Sequence, residues 1–149
     1  MIIKSFELKK INLNFNKFIL FYGKNEGLKN EAINILINNK NEISTYDEKE
    51  ILENQNNFIE NILSKSLFEN EKIIIIKRAT DKIIKIINEL VTKILEDTIL
   101  IINADNLEKK SKLRSIFEKD KKYICVAFYP DTVDVRARWD VEGVNINFE

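Results

Sequence analysis

The chain has 149 residues, 44% of them hydrophobic, which suits one globular domain that buries a core of its own. Basic and acidic residues number 24 each, so no global basic field exists to hold a phosphate backbone by counterion release, and direct DNA binding by this chain alone is disfavoured. Without histidine the usual general base and zinc ligand are missing, and the single cysteine, Cys125, has no second thiol for a disulfide or a cysteine-rich metal site.

Strand-like and helix-like segments alternate along most of the chain. Phe18–Tyr22 is an aromatic and aliphatic run closed by Gly23, which predicts a buried strand entering a turn. Leu28, Ala32, Ile35 and Leu36 then recur at helical spacing. A shorter strand around Ile43–Tyr46 precedes Asp47, an N-cap candidate with Glu50 as its capping-box partner three residues on. Phe58, Ile59, Ile62 and Leu63 mark one helical face. Ile73–Ile76 is a second strong strand, and Ile83, Ile86, Ile87, Leu90, Val91, Ile94 and Leu95 trace the next helix.

Thr98–Ile102 predicts a third buried strand, Leu107–Phe117 a helix with Leu113, Ile116 and Phe117 inward, and Tyr123–Phe128 a fourth strand that would bury Cys125 as a spectator thiol. Continuous apolar strands separated by helices imply an α/β fold, a three-layer parallel sheet with helices on both faces. Aliphatic runs such as Ile99–Ile102 are far too short to cross a bilayer and the start carries no long apolar stretch, so the chain reads as cytoplasmic with no membrane partner. After Pro130-Asp131 the pattern changes. Val133, Val135, Ala137, Trp139 and Val141 alternate with polar residues, the signature of a half-buried edge strand.

Two features carry chemical information. The first is Gly23-Lys24-Asn25-Glu26-Gly27-Leu28-Lys29-Asn30, which follows a strand and opens a helix as a phosphate-binding loop does. Gly23 and Lys29 are in register with G-x-x-x-x-G-K-[ST], but Leu28 replaces the second glycine and Asn30 the magnesium-binding hydroxyl. A side chain at the glycine position obstructs phosphate approach, and an amide is a poor ligand for a hard cation. The alternative is a strand-to-helix turn using two glycines, Gly23 and Gly27. A magnesium-holding acid is also wanted after a neighbouring strand. Ile73–Ile76 is followed instead by Lys77-Arg78, while Asp105, three residues past Ile102, serves either as that acid or as a turn or N-cap residue before Leu107.

The second feature is Leu67-Phe68, two large apolar residues between Ser66 and the polar Glu69-Asn70-Glu71. By residue type alone they are either tucked under the fold or displayed to a partner. The charged runs Asp47, Glu48, Glu50 and Lys109, Lys110, Lys112, Arg114 read as solvated faces, and no residue set suggests a catalytic centre, a metal site or a bound cofactor.

Ser66-Leu67-Phe68-Glu69 with the strand Lys72–Ile76, the later Leu107-Glu108-Lys109-Lys110-Ser111-Lys112-Leu113, the degenerate phosphate loop and the ending Tyr129-Pro130-Asp131 together resemble the delta subunit of the bacterial DNA polymerase III clamp loader. The resemblance covers residues 1–131 and implies a P-loop NTPase or AAA+-like domain with a decayed nucleotide site. It further implies binding and opening of the sliding clamp during DNA replication, with Leu67 and Phe68 as a hydrophobic plug. The chain would be no enzyme by itself, its partners the clamp and the other clamp-loader subunits, and its contact with DNA indirect. Lid and collar domains expected of that family are absent from the sequence, which implies a fragment or truncated form, and residues 132–149 depart from the family's helical pattern. The alternatives are a nucleotide-binding enzyme that uses Lys29 on phosphate and Asp105 on magnesium, and a structural subunit that contacts a partner through the Trp139 strand.

Overall fold

A computed structural model describes residues 1–38, 42–65, 72–93 and 98–129. Six strands form one all-parallel sheet: β1 (Ile2–Lys4), β2 (Phe18–Tyr22), β3 (Glu42–Asp47), β4 (Lys72–Ala79), β5 (Thr98–Ala104) and β6 (Tyr123–Ala127), in the order β1-β6-β2-β5-β4-β3. Among the described residues five α-helices accompany them: α1 (Glu26–Leu36), α2 (Glu48–Glu53), α3 (Gln55–Lys65), α4 (Ile84–Lys93) and α5 (Lys112–Lys119).

The aliphatic runs are continuous because both faces of each inner strand are covered. In β4, Ile74 and Ile76 pack with α2–α5, through residues such as Ile51, Phe58, Ile86 and Phe117, whereas Ile73 and Ile75 pack beneath α1 through Ala32 and Ile33. Residues Leu8, Ile11 and Leu13 of the N-terminal segment complete the α1 layer. The parallel three-layer α/β architecture expected from the alternation is therefore present. Among the described residues no helix is long and apolar enough to cross a membrane.

Three boundaries differ from expectation. β1 was not foreseen: it is only three residues long with one buried side chain, Ile3, so it has too little periodicity to register. Lys77 and Arg78 do not follow the second strong strand but lie within it, at a bulge where Arg78 has φ +55°. The helix expected over 107–117 begins only at Lys112; Leu107 is buried, but it packs from the preceding loop. Cys125 is buried as expected, and burial above all pushes its thiol up to about 12, which leaves it protonated at neutral pH. Ile94, Leu95, Pro130, Asp131 and the alternating Val133–Val141 segment lie outside the described residues; among the described residues the outer strands of the sheet are β1 and β3.

The late start of α5 has its cause in a contact from another element. Ser111 is its N-cap, accepting from Arg114 N at 3.2 Å, and its own hydroxyl donates to Asp81 Oδ1 at 2.6 Å. Asp81, from the turn after β4, also accepts from the backbone N–H groups of Lys112 at 3.1 Å and Leu113 at 3.2 Å. A carboxylate brought from another element thus satisfies the orphan donors of the helix and complements its dipole. The Ser111 hydrogen bond, then the backbone donors, hold the Asp81 carboxyl below its ordinary 3.8 against desolvation. A depressed folded pKa contributes stability above that ordinary value, and the contribution disappears as pH falls through the lowered folded value. We predict that Asp81→Ala costs about 1 kcal/mol in urea denaturation at neutral pH. Its stability should then fall less steeply than the native chain's on acidification through the carboxylate range.

Candidate functional site

The C-terminal ends of β2, β5 and β6 converge at Gly23. Its backbone N–H donates to Asp105 O at 3.0 Å, and Phe128 N donates to Tyr22 O at 2.8 Å. Gly23 has φ +123°, and a Cβ placed there would sit 2.0 Å from Phe128 O, so both conformation and contact require glycine. Gly27 carries no such demand, since an added Cβ would meet only Asn25 Oδ1 at 3.8 Å. The expected turn therefore depends on one glycine rather than two.

Asn25 caps α1 by accepting from Leu28 N at 3.1 Å, and its amide donates to Tyr129 O at 3.0 Å, tying the loop to the chain beyond β6. Leu28, at the position of the second motif glycine, packs against the core beneath α1. Asn30, at the position of the motif hydroxyl, is exposed on α1.

Lys29 is in the motif's register, yet its side chain is 0% exposed. Its Nζ donates to the carbonyl of Ala104 at 2.7 Å and pairs with Glu26 Oε1 at 3.0 Å. Asn103 Nδ2 donates to the other Glu26 oxygen at 3.3 Å. Burial raises the Glu26 pKa, but the hydrogen bond and charge of Lys29, with Asn103 and Lys77, outweigh it and hold the carboxyl below its ordinary value. A phosphate arriving at this loop would have to break both Lys29 contacts and lie beside a carboxylate that stays ionised.

The helper acid fares no better. Asp105 is exposed and gives its carbonyl, rather than a cap, to Gly23, and α5 does not begin near it. Among the described residues no group of three or more Asp, Glu or Cys is placed to hold a metal ion. A groove of about 230 Å³ beside the loop, lined by Tyr22, Gly23, Lys24, Asn106, Phe128 and Tyr129, is smaller than ordinary ligand pockets of roughly 300–1,000 Å³. Glu26 was not singled out in the sequence, although its i,i+3 spacing from Lys29 is a signal that would have found it. The Ala104 carbonyl could not be found that way, because a backbone acceptor has no sequence signal.

Leu67 and Phe68 lie outside the described residues. The flanking positions are Lys65, which ends α3, and Lys72, which begins β4. Lys72 lies at the edge of the parallel sheet where strands start, opposite the strand ends that hold Gly23.

Two substitutions test this description. Gly23→Ala should destabilise the chain by at least about 2 kcal/mol, seen as a lowered urea midpoint. Lys29→Met should cost about 1–3 kcal/mol by the same measurement, because it strands the buried Ala104 carbonyl; an unchanged midpoint would mean that the lysine is dispensable to the fold.

Over residues 19–127 the chain matches the family described as DNA polymerase III, delta subunit. No curated protein matches it. It is similar in structure to the Bacillus subtilis DNA clamp loader delta protein, with a TM-score of 0.61 and 13% identity, over 91% of this chain and 45% of that one. At that identity the likeness is one of fold, and this chain spans less than half the length of that protein. The family match, in contrast, runs from the second residue of β2 to the last of β6 and takes in every strand except β1. The chain belongs to the family described as DNA polymerase III, delta subunit.

Proposed function

We propose that residues 1–131 form the clamp-binding unit of a delta subunit, which grips the sliding clamp and opens its ring during DNA replication without hydrolysing ATP. The observation that carries this reading is the family match over residues 19–127, which spans the Leu67-Phe68 connection. The reading assigns those two side chains to a plug entering an apolar pocket of the clamp. Burying each is worth about 1.5–3 kcal/mol, and a few such anchors dominate most interfaces, so two suffice for micromolar binding.

The chemistry of the loop supports a non-catalytic role. Lys29 is committed to Ala104 and Glu26, and β4 carries Lys77 and Arg78 just before its last residue, Ala79, where a magnesium-holding acid is wanted. ATP would then be handled by other clamp-loader subunits, and DNA reached only through the clamp. A cytoplasmic location follows from that role in replication.

Calorimetric titration with the sliding clamp tests the reading. Native chain should bind saturably, and Leu67→Ser and Phe68→Ser should each weaken binding by about tenfold or more with circular dichroism unchanged. Undiminished binding in both folded variants would rule out the plug. Titration with ATP and magnesium should yield no saturable binding; binding that Lys29→Ala abolishes would favour the nucleotide-using enzyme instead.

A further inference from the structure

One ring of the core ends in a hydroxyl that the fold does not use. Tyr22, the last residue of β2, is only 5% exposed, and its hydroxyl has no hydrogen-bond partner among the described residues. Tyrosine hydroxyls set this deep ordinarily have one. The ring itself is fixed: the Arg114 guanidinium lies 5.0 Å from its centroid, and Arg114 is held by Glu118 Oε2 at 2.9 Å and the Leu107 carbonyl at 3.1 Å. Burial above all pushes the Tyr22 phenol up to about 12, against the pull of Arg114, so the group keeps its proton at neutral pH and can donate.

Tyr22 lines the groove of about 230 Å³ beside the loop. Ala127, Phe128 and Tyr129 supply apolar walls, and Lys24 and Asn106 add polar groups whose side chains make no ion pair or hydrogen bond with other described residues. A hydroxyl, an ammonium and an amide NH2 are all donors, and among the described residues no carboxylate lines the groove. Its walls are held in place. The Gly23 and Phe128 backbone N–H groups bond to Asp105 O and Tyr22 O, and the Asn25 amide holds the carbonyl of Tyr129, a residue 73% exposed at the rim.

We propose that this groove binds the carboxyl end of a partner polypeptide whose last side chain is apolar. The carboxylate takes the donors of Tyr22, Lys24 and Asn106, and the last side chain lies against Ala127 and Phe128. Charge decides the first half, since three donors, one of them cationic, suit an anion. Size decides the second. The groove is smaller than ordinary small-molecule pockets, and a chain end carries its charge and one apolar group on the same carbon, whereas an aspartate or glutamate side chain brings charge without an apolar body. The residue before the last reaches the exposed ring of Tyr129 at the rim. No residue of the groove has a role in the clamp-binding reading above, so the two stand or fall separately.

Titration of the full chain with an alanine-rich hexapeptide ending in phenylalanine, followed by NMR shifts, tests the site. Saturable shifts at Tyr22, Lys24 and Phe128 are expected, and the same peptide with an amidated end should bind about tenfold more weakly. Tyr22→Phe keeps the ring beneath Arg114 and should weaken binding by about fivefold; Lys24→Met should cost a similar factor without touching the core. Equal binding of acid and amide, no saturable shift with either, or native affinity in both folded variants overturns the site. The hexapeptide should also bind more tightly than N-acetylphenylalanine; equal affinity would make the ligand a free small carboxylate and overturn the chain-end partner. Contacts between the rings of Trp139 and Tyr129 in the peptide-free protein would show the groove covered by the chain's own tail, which overturns it as well.

Discussion

Every residue of β5 is buried, and from this requirement the rest of the architecture follows. A strand with no solvent side must be covered twice, so the chain supplies α1 and the N-terminal segment on one face and α2–α5 on the other. Parallel strands need crossovers, which return each strand to the same edge and gather the strand ends of β2, β5 and β6 around Gly23. The apolar core thus decides where polar chemistry can collect, before any polar residue is considered.

What collects there is a lysine turned inward. A phosphate-loop lysine normally meets its counter-charge on a ligand; here the counter-charge is Glu26, one turn earlier on the same helix, and the remaining contact is a carbonyl of the neighbouring strand. The same side chain that would serve catalysis has become a pin between α1 and β5. A buried ammonium is tolerable only when paired and hydrogen-bonded, and this one is both. The loop whose letters partly match a phosphate-binding motif is occupied by the protein's own groups.

The polar contacts that organise the opposite helical layer also come from one short stretch. Arg78, Thr80 and Asp81 leave the end of β4 in succession, the first two toward α2 and the third to the N-terminus of α5. Non-directional packing would place these helices on the sheet without fixing their axial positions. Directional hydrogen bonds from a single bulged strand end supply that information.

The sequence by itself determined what repeats. Aliphatic runs and 3.6-residue spacings marked β2, β4, β5 and β6, most of the helices, and the parallel α/β class, because burial on two faces writes itself into every position of a strand. The capping box at Asp47 and Glu50 was equally legible, being local, and Glu50 accepts from Asp47 N at 2.8 Å as the spacing requires. The Ser111-Lys112-Leu113 segment was recognisable as a family pattern, but its cause lies in Asp81, thirty residues away in sequence. Only the tertiary structure decided that Lys29 is buried, that Gly23 and not Gly27 is obligatory, and that Arg78 sits in a bulge. Each depends on a distant backbone atom, Ala104 O, Phe128 O or the register of β5, and a backbone atom is the same in every residue and leaves no trace in a sequence.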